Sequence, residues 1–335
     1  MKRKTLLLTI ALVTFVLGSQ PPVPAQGNTK PNISQDESNL AQKINSAPDA
    51  AAKLKAAAEL IRKHPKTAIR GQVAQEIANR IQDVTDPTQK LTLAQEFQTI
   101  FNDPADEVAV GPTMIDALAD ANQIDQAFAK GADFLTRHPE TLQVLVELLS
   151  IGTEQAKKQN AKFIDQSIRY GTQAIALTEA NKKPANWEEA NWQEFKTRTL
   201  PSIYQSVALL HMVKGARAEA RAHYTKASQL APNDPFNFVM IAALLNEDYQ
   251  TEAQKYQSMP GGAAKDEQLK KVQTLLDNVI DAYARAVALS EGNAALANVR
   301  QQYLQDLESY YKYRHNNSTA GMQQLIDKYK VAAKP

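Results

Sequence analysis

The chain of 335 residues contains no cysteine. This absence excludes disulfides, zinc ribbons, iron–sulfur clusters, c-type haem attachment, cysteine catalysis and a lipid-modified N-terminal cysteine. Glycine and proline are also few, at 12 and 16 residues, so collagen-like and low-complexity architectures are excluded. Hydrophobic residues make up 43% of the chain, which is typical of a packed protein.

The chain also lacks an excess of charge of either sign. It carries 38 basic and 36 acidic residues, for a net charge of +2. Nucleic-acid binding depends on a basic surface that neutralises phosphates, so we expect no nucleic-acid partner. The sequence contains no GxSxG, GxxxxGK[ST], GxGxxG or HExxH motif, and we therefore expect no catalytic residues, no cofactor and no metal.

The N-terminus has the pattern of a secretory signal peptide over residues 1–25. Three basic residues come first, at positions 2–4, and an apolar stretch of 12 residues follows at 6–17. That stretch is too short to span a bilayer as a mature helix. Small residues at Val23 and Ala25 predict cleavage after Ala25, with an uncleaved anchor or a buried helix as alternatives. We expect a periplasmic or secreted protein without stable membrane insertion after cleavage, and a flexible linker over 26–36.

The rest of the chain, 37–335, has the periodicity of α-helices. Apolar residues recur at helical spacing, as in the set Leu54, Ala57, Ala58 and Ile61. Three Asp-Pro pairs, beginning at Asp86, Asp103 and Asp234, place a capping carboxylate before a proline at the first helical position. No alternating β pattern occurs, so the predicted fold class is all-α.

One segment, 201–234, has the spacing of a known helical hairpin. Large, small and turn-forming residues stand at Tyr204, Val207, Ala208, His211, Gly215, Ala220, Tyr224, Ala227 and Pro232. In this register the segment resembles the 34-residue tetratricopeptide repeat, although His211 replaces the usual aromatic or aliphatic residue. The resemblance implies an alpha-solenoid of antiparallel helical hairpins, wound as a right-handed superhelix.

A second segment, 108–139, resembles the same repeat less closely. It has Asn122 where glycine is expected, and asparagine also adopts the left-handed region. It has Gly131 in place of a large residue. We expect one helical repeat domain over 37–335, with a final pair of capping helices over 294–331.

The resemblance implies a binding groove lined by the first helix of each hairpin. In the repeat register, the lining positions are Gln143, Val146, Ser150, Gln205, Leu209, Met212, Phe236, Val239 and Ala243. Family members that bind chaperones use basic residues there to hold a C-terminal carboxylate, and none of these positions is Lys or Arg. The lining favours a protein or peptide partner bound as an amphipathic helix or extended segment. The predicted function is a non-enzymatic protein-interaction scaffold.

Two alternatives remain open from the sequence. A helical-repeat hydrolase would gather acidic residues from separate hairpins, and a small-ligand protein would use aromatic residues such as Trp187 and Trp192. Packing is the simpler explanation for those two tryptophans, and for Tyr303 and Tyr310, which lie seven residues apart on one helix face. The five histidines are not clustered, so structural or surface roles are expected.

Overall fold

The computed structural model describes residues 33–185 and 187–330, and every regular element within them is helical. The predicted signal peptide, and the linker up to residue 32, lie outside the described residues. The chain divides into two compact units between Pro139 and Glu140, where the sequence predicts one continuous domain over 37–335. Each unit consists of the antiparallel hairpins that the all-α prediction requires, so the predicted fold class is confirmed.

The first unit contains six α-helices, which pair in chain order into three hairpins. Their bounds are α1 Gln35–Ser46, α2 Ala50–Lys63, α3 Arg70–Gln82, α4 Pro87–Ile100, α5 Glu107–Asp120 and α6 Ile124–Arg137. Helix α1 begins inside the segment predicted as a linker. Ser34 accepts a hydrogen bond from the Glu37 backbone N–H, and the Glu37 carboxylate accepts one from the Ser34 N–H. This reciprocal cap explains the early start.

Inside the third hairpin of the first unit, a small residue on one helix accommodates a large one on the other. The Phe134 ring of α6 lies against Gly111 of α5, where any side chain would collide with the ring. Asn122, in the turn between these helices, has a φ of 57°, as expected from its place in the repeat. The fully buried side chains of this unit include Leu54, Leu60, Ile77, Ile81, Phe97 and Ile115.

The second unit contains the remaining helices. Their bounds are α7 Leu142–Lys157, α8 Ile164–Glu179, α9 Glu189–Glu194, α10 Leu200–Val213, α11 Arg217–Leu230, α12 Pro235–Ser258, α13 Ala263–Leu289, α14 Ala297–Arg314 and α15 Met322–Lys330. Helix α9 continues through a π-helical turn, Phe195–Thr199, into α10. Hairpins form between α7 and α8, between α10 and α11, and between α12 and α13. Helices α14 and α15 both pack on α13.

The α10–α11 hairpin coincides with the best repeat of the sequence. Ala208, Ala220 and Tyr224 are fully buried where the two helices meet, and Gly215 has a φ of 81° in the turn. Only glycine adopts such a backbone without strain from a Cβ atom. The α12–α13 hairpin keeps the same plan but has helices of 24 and 27 residues, longer than a standard repeat.

Candidate functional site

The predicted groove residues lie on the first helices of three hairpins in the second unit. Three lie on α7, three on α10 and three on α12. Four of the nine are buried, namely Val146, Gln205, Leu209 and Val239. The other five are half-buried, namely Gln143, Ser150, Met212, Phe236 and Ala243. The half-buried set is called the A-helix row below, because its members lie on the first helix of a hairpin and reach the surface.

Several members of the predicted groove, buried and half-buried, contribute to packing within and between hairpins. Val239 packs in a cluster with Phe238 of its own helix and Ala286 of α13. Met212 and Phe236 pack against the cluster centred on Tyr224, which joins α10, α11 and α12. These positions therefore stabilise the stack, and Val239 cannot reach a partner without a rearrangement.

Gln205 forms a polar link between α10 and α12. Its Nε2 donates to Asp234 Oδ2 at 2.6 Å and to Asn237 Oδ1 at 2.9 Å. Asp234 also caps α12 by accepting a hydrogen bond from the Phe236 N–H at 3.0 Å. Gln205 is thus occupied inside the protein, which the repeat register alone did not reveal.

Asn246 adds a polar group to the surface on which the A-helix row lies. It lies on α12, three residues after Ala243, and is half-buried. Its Oδ1 is enclosed and accepts no hydrogen bond from the residues that the structure describes. A buried amide oxygen without a hydrogen-bond donor is costly, and because this oxygen is enclosed, a bound segment cannot reach it without a rearrangement.

The two tryptophans belong to a packed aromatic cluster around α9. Trp192 is almost fully buried, stacks on Phe195 at 5.7 Å, and donates from Nε1 to Asn181 Oδ1 at 2.9 Å. Trp187 lies edge-on to both rings, at 6.1 Å from Trp192 and 5.2 Å from Phe195. Each of the three rings packs against the other two, which supports the packing interpretation over an enclosed ligand site.

All five histidines have identifiable neighbours, and His315 stacks on Tyr311 with ring centroids 4.2 Å apart. His64 Nε2 lies 2.8 Å from Asp36 Oδ2, and His138 Nε2 lies 3.1 Å from Glu107 Oε2. His211 and His223 stack with ring centroids 5.4 Å apart. Burial lowers the pKa of both stacked imidazoles.

No group of three or more His, Asp or Glu side chains is arranged to hold a metal ion among residues 33–185 and 187–330. Within those same residues, no helix combines the length and apolar character needed to cross a membrane.

Sequence reasoning missed Asp306 on α14. This half-buried carboxylate lies between Tyr303 and Tyr310 on one face of the helix. The signal was present in the sequence, because residues three and four apart on a helix are neighbours. It was not recognised because the two tyrosines are explained by packing alone.

No known protein family matches this chain, and no curated protein matches it. A solved structure that does resemble it is a tetratricopeptide repeat protein from Parabacteroides merdae ATCC 43184. The likeness has a TM-score of 0.41 at 11% identity and covers 81% of this chain and 98% of that one. A likeness this distant carries no argument about what the chain binds. The paired helical hairpins themselves are consistent with a tetratricopeptide-like protein.

Proposed function

We propose that this chain is an exported, non-enzymatic scaffold that binds a peptide or a partner helix on its second unit. The observation that carries the proposal is the A-helix row on α7, α10 and α12. Its members are uncharged and half-buried, and they combine apolar, amide and hydroxyl groups. Such a surface fits the mixed character of a peptide, whose backbone needs hydrogen bonds while its side chains need apolar contacts.

Two features of the row suit an adaptable peptide site. Met212 has a flexible side chain that adjusts to differently shaped partners. The half-buried Ser150 has a hydroxyl that can both donate and accept hydrogen bonds.

The site is tested by selecting binders from a displayed library of random-sequence peptides and measuring their affinity for variants. Met212→Glu places a charge in the row, and we expect it to weaken the selected peptides at least about tenfold. Val213→Glu is the matched control, because Val213 is the next residue of α10 and is 47% exposed. The control should bind like the parent.

The proposal fails if no peptide is selected, or if the two variants weaken binding equally. Melting curves of both variants show whether either substitution disturbs the fold. If no peptide is selected but a small apolar molecule binds in a separate titration, the result would favour the small-ligand alternative.

Export is part of the same proposal and is supported by the pattern of residues 1–25. Its test is the mass of the protein recovered from a bacterial host that expresses the whole chain. We expect the recovered chain to begin at Gln26 and to be found outside the cytoplasm. A chain that begins at Met1 in the cytoplasm would contradict the export proposal and leave the peptide site unaffected.

A further inference from the structure

Helix α14 carries a stripe of tyrosines with a carboxylate at its centre. Tyr303, Asp306 and Tyr310 are spaced by three and four residues, so they share one face of the helix. All three are half-buried, whereas Leu307 and Tyr311 are buried toward the core. We call Tyr303, Asp306, Tyr310 and the neighbouring Tyr283 the tyrosine–aspartate patch.

The rings of the patch are held by neighbouring helices. Tyr283 of α13 stacks on Tyr310 with centroids 5.7 Å apart and an interplanar angle of 16°. Tyr303 packs on the cluster that contains Val239 of α12. Tyr249 of α12 packs, with Tyr303 and Tyr310, against the core cluster that contains Tyr283. The patch therefore lies where α14 packs against α12 and α13.

The carboxylate of Asp306 has no cationic partner among the described residues. It accepts a hydrogen bond from Gln302 Nε2 at 3.2 Å, and burial raises the pKa of its carboxyl group. Other half-buried carboxylates of the second unit do form ion pairs, namely Glu154, Asp248, Glu252, Asp281 and Glu308. Asp234, which lies near Tyr303, resembles Asp306 in accepting hydrogen bonds without an ion pair.

The ring faces of the patch are also without a cation in the described part of the chain. Arg285 shows the contrast, because its guanidinium lies 5.5 Å from the Phe238 ring centroid and 4.5 Å from that of Tyr329. The rings of Phe238 and Tyr329 thus have a cation beside them, Arg285, which also pairs with Asp281. The rings around Asp306, in the same unit, have no such cation among the described residues.

We propose that the tyrosine–aspartate patch binds a cationic side chain, lysine or arginine, of the peptide held on the A-helix row. Tyrosine faces attract cations through the negative charge of the π-system, and a carboxylate beside them adds a direct ion pair. A peptide side chain is favoured as the source because Tyr303 of the patch packs on α12, the helix that also carries Phe236 and Ala243 of the A-helix row. This inference rests on the proposed function and specifies the chemistry of its partner.

The test uses the same displayed library with the full chain and two variants. Asp306→Asn keeps the shape of the side chain and its hydrogen bond from Gln302 while removing the charge. Glu267→Gln removes an equal charge from an exposed residue near the start of α13 and serves as the control. We expect the selected peptides to be enriched in lysine and arginine, and Asp306→Asn to weaken them about tenfold. Glu267→Gln should leave their affinity unchanged.

The outcomes separate this inference from the proposed function. Peptides that are sensitive to Met212→Glu but show no basic enrichment, or no loss with Asp306→Asn, overturn the cation site and leave the peptide site standing. If no peptide is selected, lysine ethyl ester is titrated into tyrosine-labelled protein. Nuclear magnetic resonance shifts that vanish in Asp306→Asn would assign the patch to free cations and overturn the peptide source. An absence of shifts would overturn the site itself.

Discussion

The two units of the chain are built from similar hairpins but bury different kinds of polar groups. In the first unit the buried polar residues include charged ones, namely Lys53, Lys90 and Asp106. In the described part of the second unit they are all neutral, namely Thr153, Gln155, Ser167, Thr178, Gln205, Ser206, Asn237, Gln268 and Ser290. The same kind of helical hairpin therefore packs with buried charged residues in one unit and with buried neutral polar residues in the other.

Ion pairs join the helices of the first unit. The Arg70 guanidinium donates to both oxygens of Asp106, at 2.9 Å and 3.0 Å from Nε, and so connects α3 to the start of α5. Lys90 of α4 lies 2.8 Å from Asp116 and 2.6 Å from Asp120 of α5. A buried charge requires an opposite charge beside it, so each pair fixes which helix faces which.

Aromatic and apolar contacts join the helices of the second unit. Tyr224 is fully buried and lies edge-on to Phe236 across the α11–α12 contact. In the same unit, the Asp306 carboxylate accepts a hydrogen bond from Gln302 but pairs with no cation among the described residues. Buried ion pairs therefore contribute to the packing of the first unit, whereas the buried polar residues in the described part of the second unit are neutral.

The largest effect is expected from removing the ring at the centre of the second unit. Tyr224→Ala should lower the free energy of unfolding by about 4 kcal/mol, because it deletes a buried aromatic side chain and leaves a cavity. Tyr224→Phe should be neutral or stabilising, since the buried Tyr224 hydroxyl has no hydrogen-bond partner among the described residues. Denaturant unfolding measures both, and a Phe variant as unstable as the Ala variant would contradict the packing explanation.

A somewhat smaller effect is expected from breaking the charged link of the first unit. Asp106→Ala leaves the largely buried Arg70 without its counter-charge and should cost about 3 kcal/mol. The double variant Arg70→Met, Asp106→Leu removes both charges and should recover most of that loss. If the double variant is no more stable than Asp106→Ala, the link is not an isolated ion pair. Thermal unfolding followed by circular dichroism provides the comparison.

A loss of about 1 kcal/mol is expected from Gly215→Ala in the second unit, because alanine is strained at a positive φ. Asn122 occupies the corresponding turn of the first unit with a φ of 57°, and Asn122→Gly should be neutral or slightly stabilising. Denaturation midpoints compare the two turns. If Asn122→Gly lowered the stability as much as Gly215→Ala does, the two turns would not be equivalent in backbone strain.

The smallest effect is a pH dependence confined to the second unit. Burial lowers the pKa of His211 and His223 below the ordinary value of 6.5, with Glu219, Lys214 and the other imidazole as the charged or titratable neighbours that modify the shift. The unfolded state then binds more protons than the folded state between the lowered pKa values and 6.5. Stability should therefore fall as the pH drops through that window.

His223→Gln should reduce this slope, because it removes one of the two titrating rings. Melting temperatures measured between neutral and mildly acidic pH test the effect. An unchanged slope in the variant would assign the dependence to other groups.

Much of the local structure could be predicted from short-range patterns. The Asp86 carboxylate accepts a hydrogen bond from the Gln89 N–H at 2.7 Å and caps α4, as the Asp-Pro pair indicates. The pair at Asp103 initiates a 3-10 turn, Pro104–Asp106, before α5 begins. The positive φ of Asn122 also follows from its place in the repeat. These features depend on residues within a few positions of each other.

The candidate site was predicted less completely. The repeat register placed the predicted groove residues on the first helices of three hairpins, but it could not separate buried positions such as Leu209 from half-buried ones such as Met212. The lengths of α12 and α13, and the division after Pro139, were also not predicted. Each depends on how far neighbouring hairpins extend, which periodicity within one helix does not report.

The sequence by itself determined the all-α class, the starts of α4 and α12, the turns at Asn122 and Gly215 and the best hairpin, because each arises from local backbone preferences and helical spacing. Only the tertiary structure decided which polar groups find partners. Arg70 meets Asp106 across 36 positions of the chain, whereas Asp306 meets no cation among the described residues. Whether a charge is satisfied depends on side chains that folding brings together from distant helices, and this is the property that distinguishes a structural ion pair from a candidate binding site.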